Sequence, residues 1–89
     1  MKIKEGFVLQ KVSGSYLACA TGKIAGEFSG LVRMNESGVF IWNLLKEDTN
    51  EEAVVKTVAD SFGISLELAE ADVRAFIKNL SDNGILENE

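Results

Sequence analysis

Residues 28–45 read FSGLVRMNESGVFIWNLL, and within them the chain changes from strand-like to helical patterning. The first seven residues predict a strand, weakened at Gly30, where a glycine often marks a bulge or a close backbone approach. Asn35 is a good helix N-cap, because its side chain can accept hydrogen bonds from the free amides of the first turn. The helix that follows is expected to end at Leu45 or Lys46.

Two more strands are predicted before this stretch. Phe7–Val12 alternates in polarity along its length, which is typical of a strand. Ser13, Gly14 and Ser15 form a turn cluster, and residues 16–20 predict a second strand. The short gap favours an antiparallel hairpin.

Two more helices are predicted after it. Thr49 and Glu52 form a capping-box pattern, and Gly63 suits the left-handed position at the end of that helix. Ser65 can cap the third helix, and Gly84 ends it. The residues expected to face the core are Val55, Val58, Ala59 and Phe62 of the second helix, Leu66, Ala69, Val73, Phe76, Ile77 and Leu80 of the third, and the Ile85-Leu86 pair.

The order of elements is therefore β-β-β-α-α-α. Strands followed by helices, without βαβ alternation, indicate an α+β fold. We expect a three-stranded antiparallel sheet followed by a three-helix bundle, a winged-helix-like set of parts in an unusual order. At 89 residues the chain is expected to form one domain spanning residues 1–89.

Composition excludes several classes of function. With no histidine and one cysteine, the common zinc sites and histidine-based catalytic triads cannot be built, so we expect no enzyme, no metal and no cofactor. The lone Cys19 is expected to be a small buried apolar residue, and the absence of an intrachain disulfide agrees with a reducing, cytoplasmic setting. No apolar run is long enough to span a membrane, and a net charge of −5 argues against nucleic-acid binding.

The third strand carries the best functional clue. Exposed edge strands can recruit an extended peptide by strand addition, and idle edges are usually protected by proline or by several charges. Residues 31–34 contain only one charge, Arg33, and no proline. The alternative is that this strand is central or covered, and the sequence leaves the strand order open. Phe40 and Trp42 are expected to pack in the core rather than to form a ligand platform.

Several short motifs also follow one another in a fixed order from the third strand onward. They are LVRMNESG at residues 31–38, Ile41-Trp42, Leu44-Leu45, TNEE at residues 49–52, Ala71-Asp72-Val73, Phe76-Ile77, Leu80 and Gly84-Ile85-Leu86. This ordered set resembles the PqqD family, the small proteins of pyrroloquinoline quinone biosynthesis and their relatives, the precursor-peptide (RiPP) recognition elements. Met34 stands where the family usually has leucine, and residues 12–30 look more like stand-alone PqqD-like proteins.

The resemblance implies a peptide-binding adaptor without catalysis. In the family, the leader of a ribosomally made precursor peptide adds as a strand beside the third strand and is presented to a modifying enzyme, often a radical SAM protein. By position, Phe28, Ser29, Gly30, Leu31, Val32, Arg33 and Met34 would supply main-chain hydrogen bonds, and Asp72, Ala75, Phe76 and Asn79 would line a groove. Asp72 would bind the peptide or, alternatively, form a local salt bridge with Arg74 or Lys78.

Two other classes of function remain to be compared with this one. The first is a winged-helix transcriptional regulator, but the third helix carries Glu67, Glu70, Asp72 and Asp82 against Arg74 and Lys78, a balance that phosphates would repel. The second is an assembly module that forms a homodimer by strand exchange. Binding to DNA at low salt would favour the regulator, and the mass in solution would test the homodimer.

Overall fold

The computed structural model describes residues 1–21 and 32–87 of the chain. Within them, a three-stranded antiparallel sheet is followed by three α-helices, and a two-residue strand lies near each end. The predicted α+β class is confirmed. The elements are β1 (Lys2–Ile3), β2 (Phe7–Val12), β3 (Ser15–Ala20), β4 (Val32–Met34), α1 (Glu36–Leu45), α2 (Glu51–Phe62), α3 (Leu66–Asp82) and β5 (Leu86–Glu87).

The sheet has the strand order β2-β3-β4, with both pairs antiparallel. A two-residue turn joins β2 to β3, with Ser13 at φ 50° and Gly14 at φ 81°. Positive φ at both central residues matches the right-handed twist of the flanking strands. Because this turn needs only two residues, β3 begins at Ser15, one residue earlier than predicted. Of the predicted third strand, residues 32–34 are described, and residues 28–31 lie outside the described part of the chain.

Asparagine or serine side chains cap all three helices. Asn35 accepts from the Gly38 amide of α1 at 3.0 Å, and Ser65 accepts from the Leu68 amide of α3 at 3.1 Å, as expected. The predicted cap of α2, Thr49, is wrong by one residue, because Asn50 accepts from the Ala53 amide at 2.8 Å.

Thr49 instead belongs to a clasp that holds the N-terminus. Its amide donates to the Met1 carbonyl at 3.0 Å, and the Met1 ammonium donates to Asp48 at 2.7 Å, which holds the pKa of that carboxyl below its usual value. β1 pairs with β5, extended by a bond from the Lys4 amide to the Ile85 carbonyl at 2.8 Å. Neither β1 nor β5 was predicted from the sequence, because two residues are too few to show a period.

The core is built mainly from the three helices, to which the sheet adds Ala18, Val32 and Met34 and the chain ends add Ile3, Ile85 and Leu86. Its largest fully buried side chains are Trp42, Leu45, Val54, Val73 and Leu80. Trp42 is thus a core residue, as predicted, whereas Phe62 and Leu66, which we expected to face the core, are 46% and 61% exposed. Phe62 is the last residue of α2 and Leu66 is the first residue of α3. At these helix ends the neighbouring elements cover the apolar side chains only in part.

Replacing Asn35 tests whether its cap stabilises the junction between sheet and helices. Asn35→Ala should lower the free energy of unfolding by about 1 kcal/mol, because the first turn of α1 loses its side-chain acceptor. Urea denaturation followed by circular dichroism measures the change. Asn35→Ser keeps a capping oxygen and should stay close to the parent protein. Equal stability of the alanine variant would contradict this role.

Candidate functional site

A groove of about 430 Å³ lies between β4, the first turns of α1 and one side of α3. Six of the residues predicted from the sequence line it: Arg33, Met34, Asp72, Ala75, Phe76 and Asn79. Val32, the first residue of β4, has a buried side chain and does not line the groove. The remaining predicted residues, Phe28, Ser29, Gly30 and Leu31, lie outside the described part of the chain.

Four lining residues were not predicted: Asn35, Ser37, Gly38 and Ile41, all at the start of α1. One signal for them was present in the sequence. A glycine in a helix interior costs about 1 kcal/mol relative to alanine, so Gly38 indicates a place where packing requires the absence of a side chain. A β-carbon there would come within 2.8 Å of Met34 Cβ and 3.1 Å of Phe76 Cε1. Gly38 therefore lets α1 approach both walls of the groove.

Within the described residues, β4 is an edge strand, paired with β3 alone. The direction of its backbone groups follows from the hairpin. The Thr21 amide donates to the Gly6 carbonyl at 2.6 Å, which makes this a hydrogen-bonded pair. Because such pairs alternate along an antiparallel ladder, Cys19 and Leu17 also direct their N–H and C=O groups toward β2. The residues between them in β3, Tyr16 and Ala18, direct their N–H and C=O groups toward β4.

The same alternation fixes the outward-facing groups of β4. Tyr16 is paired with Met34 and Ala18 with Val32, so these positions carry the β3–β4 hydrogen bonds. Arg33 lies opposite Leu17, at a position where neither strand bonds to the other. The backbone N–H and C=O of Arg33 therefore point to the open edge, beside the groove. One extended segment laid along this edge can pair with both groups.

The groove combines an apolar floor with two charged side chains. Met34 and Ile41 are buried and Phe76 is half-buried, whereas Arg33 and Asp72 are exposed. Neither charged side chain forms an ion pair within the described residues.

The local salt bridge considered for Asp72 is not formed. Arg74 instead pairs with Glu70 of α3 at 3.0 Å and with Glu51 of α2 at 3.4 Å. Both ion pairs lie on the side of α3 that faces α2, away from Asp72. Lys78 forms no ion pair within the described residues. Asp72 is thus left available to a ligand in the groove.

Among the described residues, neither a metal-binding cluster nor the Cys19 thiol lies in the groove. In residues 1–21 and 32–87, no three histidine, cysteine, aspartate or glutamate side chains are grouped to hold a metal ion. Cys19 is half-buried, not buried as expected, because it lies on the outer face of the sheet, with its Sγ 3.9 Å from Gln10 Oε1. No helix of the described part is long and apolar enough to cross a membrane.

Gly38→Ala tests the close approach that shapes the groove. The added methyl should displace β4, since the Cβ of Met34 cannot move without its backbone. We expect the free energy of unfolding to fall by about 1–3 kcal/mol, although alanine favours the helix. NMR amide shifts should be concentrated on residues 32–34. Asn43→Ala, at an exposed position of α1 outside the groove, is the control and should leave those amides in place. Unchanged amides in Gly38→Ala would contradict the packing described.

Comparisons with known proteins agree on one architecture. The family model described as Coenzyme PQQ synthesis protein D (PqqD) matches residues 8–86. A solved structure described as TbiB1 in complex with the TbiA(beta) leader peptide superposes with a TM-score of 0.75 at 21% sequence identity, covering 100% of this chain and 98% of that chain. No curated protein matches the sequence. At this level of identity, the likeness to TbiB1 concerns the fold.

Proposed function

The chain belongs to the PqqD family, and we propose that it binds the leader of a ribosomally made precursor peptide and presents it to a modifying enzyme. The observation that carries this proposal is the open edge of β4, where the backbone of Arg33 faces outward beside the groove. The complex of TbiB1 with a leader peptide, on the same fold, supports it. The adaptor is proposed to be a single domain that acts in the cytoplasm, where such peptides are made.

Binding begins with the backbone. The leader adds as a further strand, accepting from the Arg33 N–H and donating to the Arg33 C=O. Our proposal extends this pairing to residues 28–31, as the sequence resemblance implies. Main-chain pairing demands little of the leader's sequence, so one module can hold a segment without altering it.

Selectivity comes from the side chains. In a strand, alternate side chains point to opposite faces, so every second leader residue would face the groove floor at Met34, Ile41 and Phe76. Apolar leader residues are favoured at these positions. Arg33 and Asp72 offer opposite charges at the exposed rim, which favours leaders carrying the complementary charges.

The proposed role is non-catalytic, because the groove supplies no nucleophile paired with a base. The chemistry belongs to the partner enzyme, for which a radical SAM protein is the class implied by the resemblance. A disordered leader loses conformational entropy when it pairs, which lowers its net affinity. Moderate affinity suits an adaptor that must release its peptide after modification.

Arg33→Pro tests the main-chain pairing directly. Proline removes the outward N–H and leaves the β3–β4 bonds intact, because those are made by residues 32 and 34. Affinity for leader peptides encoded beside the gene should fall about tenfold or more, through the lost hydrogen bond and the bulk of the ring. Fluorescence anisotropy with labelled peptides measures it, and circular dichroism checks the fold.

Two controls separate the backbone from other effects. Arg33→Ala removes the side chain but keeps the amide, and should bind within about threefold of the parent protein. Lys11→Pro makes the same backbone change on the other edge strand, where Lys11 is paired with Tyr16 at a position that also faces away from β3. This variant should bind the leader normally. Unchanged binding by a folded Arg33→Pro variant would show that β4 is not the docking edge.

A further inference from the structure

A second groove, of about 620 Å³, lies between α2 and α3. Its floor is apolar, formed by the buried Val55 and Ala59 and the half-buried Ile64. Leu66 stands at its lip with 61% of its surface exposed. This groove shares no lining residue with the groove beside β4.

The two grooves use opposite sides of α3. Leu66, Glu70 and Arg74 follow one another at four-residue spacing and face the second groove. With 3.6 residues per turn, Asp72 and Phe76 of the first groove lie on the other side of the helix. A ligand in one groove therefore leaves the other open.

The charge around the second groove is predominantly negative. Its lining carries four carboxylates against two cations. One of the cations, Arg74, is already engaged by Glu51 and Glu70. Glu52 and Asp60 are exposed and form no ion pair within the described residues. An occupant that matches this surface has an apolar stripe for the floor and cationic residues for the rim.

We infer that the α2–α3 groove is a docking site for a basic amphipathic helix of a partner protein. An amphipathic helix presents apolar residues along one side at three- and four-residue spacing, which suits a groove between two helices. Its lysine or arginine residues would lie against Glu52 and Asp60. That this partner is the enzyme that modifies the leader rests on the proposed function. The preference for a basic amphipathic helix rests only on the apolar floor and the carboxylates of the groove.

The test uses the full chain and two designed helical peptides of equal length and identical leucine pattern. One peptide carries lysine on its polar face and the other carries glutamate. In NMR titrations of the labelled protein, the lysine peptide should give saturable shifts at Val55, Ala59, Leu66 and Glu70, while Asp72 and Asn79 stay in place. The glutamate peptide should give none. Shifts scattered over the acidic surface, or no saturable binding, would overturn the inference.

A matched pair of variants on α3 locates the contact. Leu66→Gln removes the apolar lip, whereas Leu68→Gln makes the same change at a residue that is 52% exposed and outside the groove. Leu66→Gln should weaken binding of the lysine peptide about tenfold, and Leu68→Gln should leave it unchanged. Because both side chains are exposed, neither change should unfold the protein. Equal effects of the two changes would contradict specific docking.

The charge requirement has its own matched pair. The double variant Glu52→Gln/Asp60→Asn should weaken binding and flatten its salt dependence, since it removes the carboxylates at the rim. Glu67→Gln/Asp82→Asn changes the net charge equally at positions on α3 outside both grooves and should do neither. If the two pairs behave alike, only the overall charge matters and the groove is not the site.

The same proteins separate this inference from the proposed function. Leader peptides should bind Leu66→Gln as tightly as they bind the parent protein, because the leader occupies the other side of α3. A purified modifying enzyme that processes such a leader should be retained by immobilised parent protein and by Leu68→Gln, but not by Leu66→Gln. If no leader binds the parent protein, the proposed function fails, whereas the lysine-peptide titration still decides the α2–α3 groove.

Discussion

The direction of the Arg33 backbone follows from an antiparallel hydrogen-bond ladder that begins at the two-residue turn at the tip of the β2–β3 hairpin. That turn makes Val12 and Ser15 a hydrogen-bonded pair. Hydrogen-bonded pairs then recur at every second residue along β3, and the residues between them bond to β4 instead. Side chains alternate along a strand in step with these bonding groups, so a reversed phase in β4 would also turn Val32 and Met34, which are buried, away from the core. The direction of the open edge is thus fixed by the same arrangement that buries Val32 and Met34.

Packing places a groove beside that edge. Gly38 lets the first turns of α1 lie against Met34 and Phe76, so that strand, helix start and α3 meet around a shared apolar floor. Asn35 begins the helix at the residue directly after the strand. α3 then carries different side chains on its two sides, with Asp72 toward the first groove and Arg74 toward α2. In the proposed arrangement, one helix holds a peptide on one side and a partner protein on the other.

Much of this was predictable from the residues. Strong periodicity and capping chemistry predicted the hairpin and all three helices, and the ordered motifs from residue 31 onward predicted the family, which the match over residues 8–86 confirms. Six residues of the groove followed from the resemblance, which placed the peptide between the third strand and the third helix. The pairing of β1 with β5 was not predictable, because two-residue strands have no period. The exposure of Cys19 and Leu66 was not predictable either, since it depends on which layer covers each face.

Hydrogen exchange at Arg33 tests the central claim most directly. In the free protein, the amides of Val32 and Met34 should exchange slowly, because they bond to β3, and the Arg33 amide should exchange rapidly. Saturation with a bound leader peptide should slow exchange at Arg33 and change the other two little. A leader that binds while the Arg33 amide still exchanges at its free rate would contradict strand addition at β4.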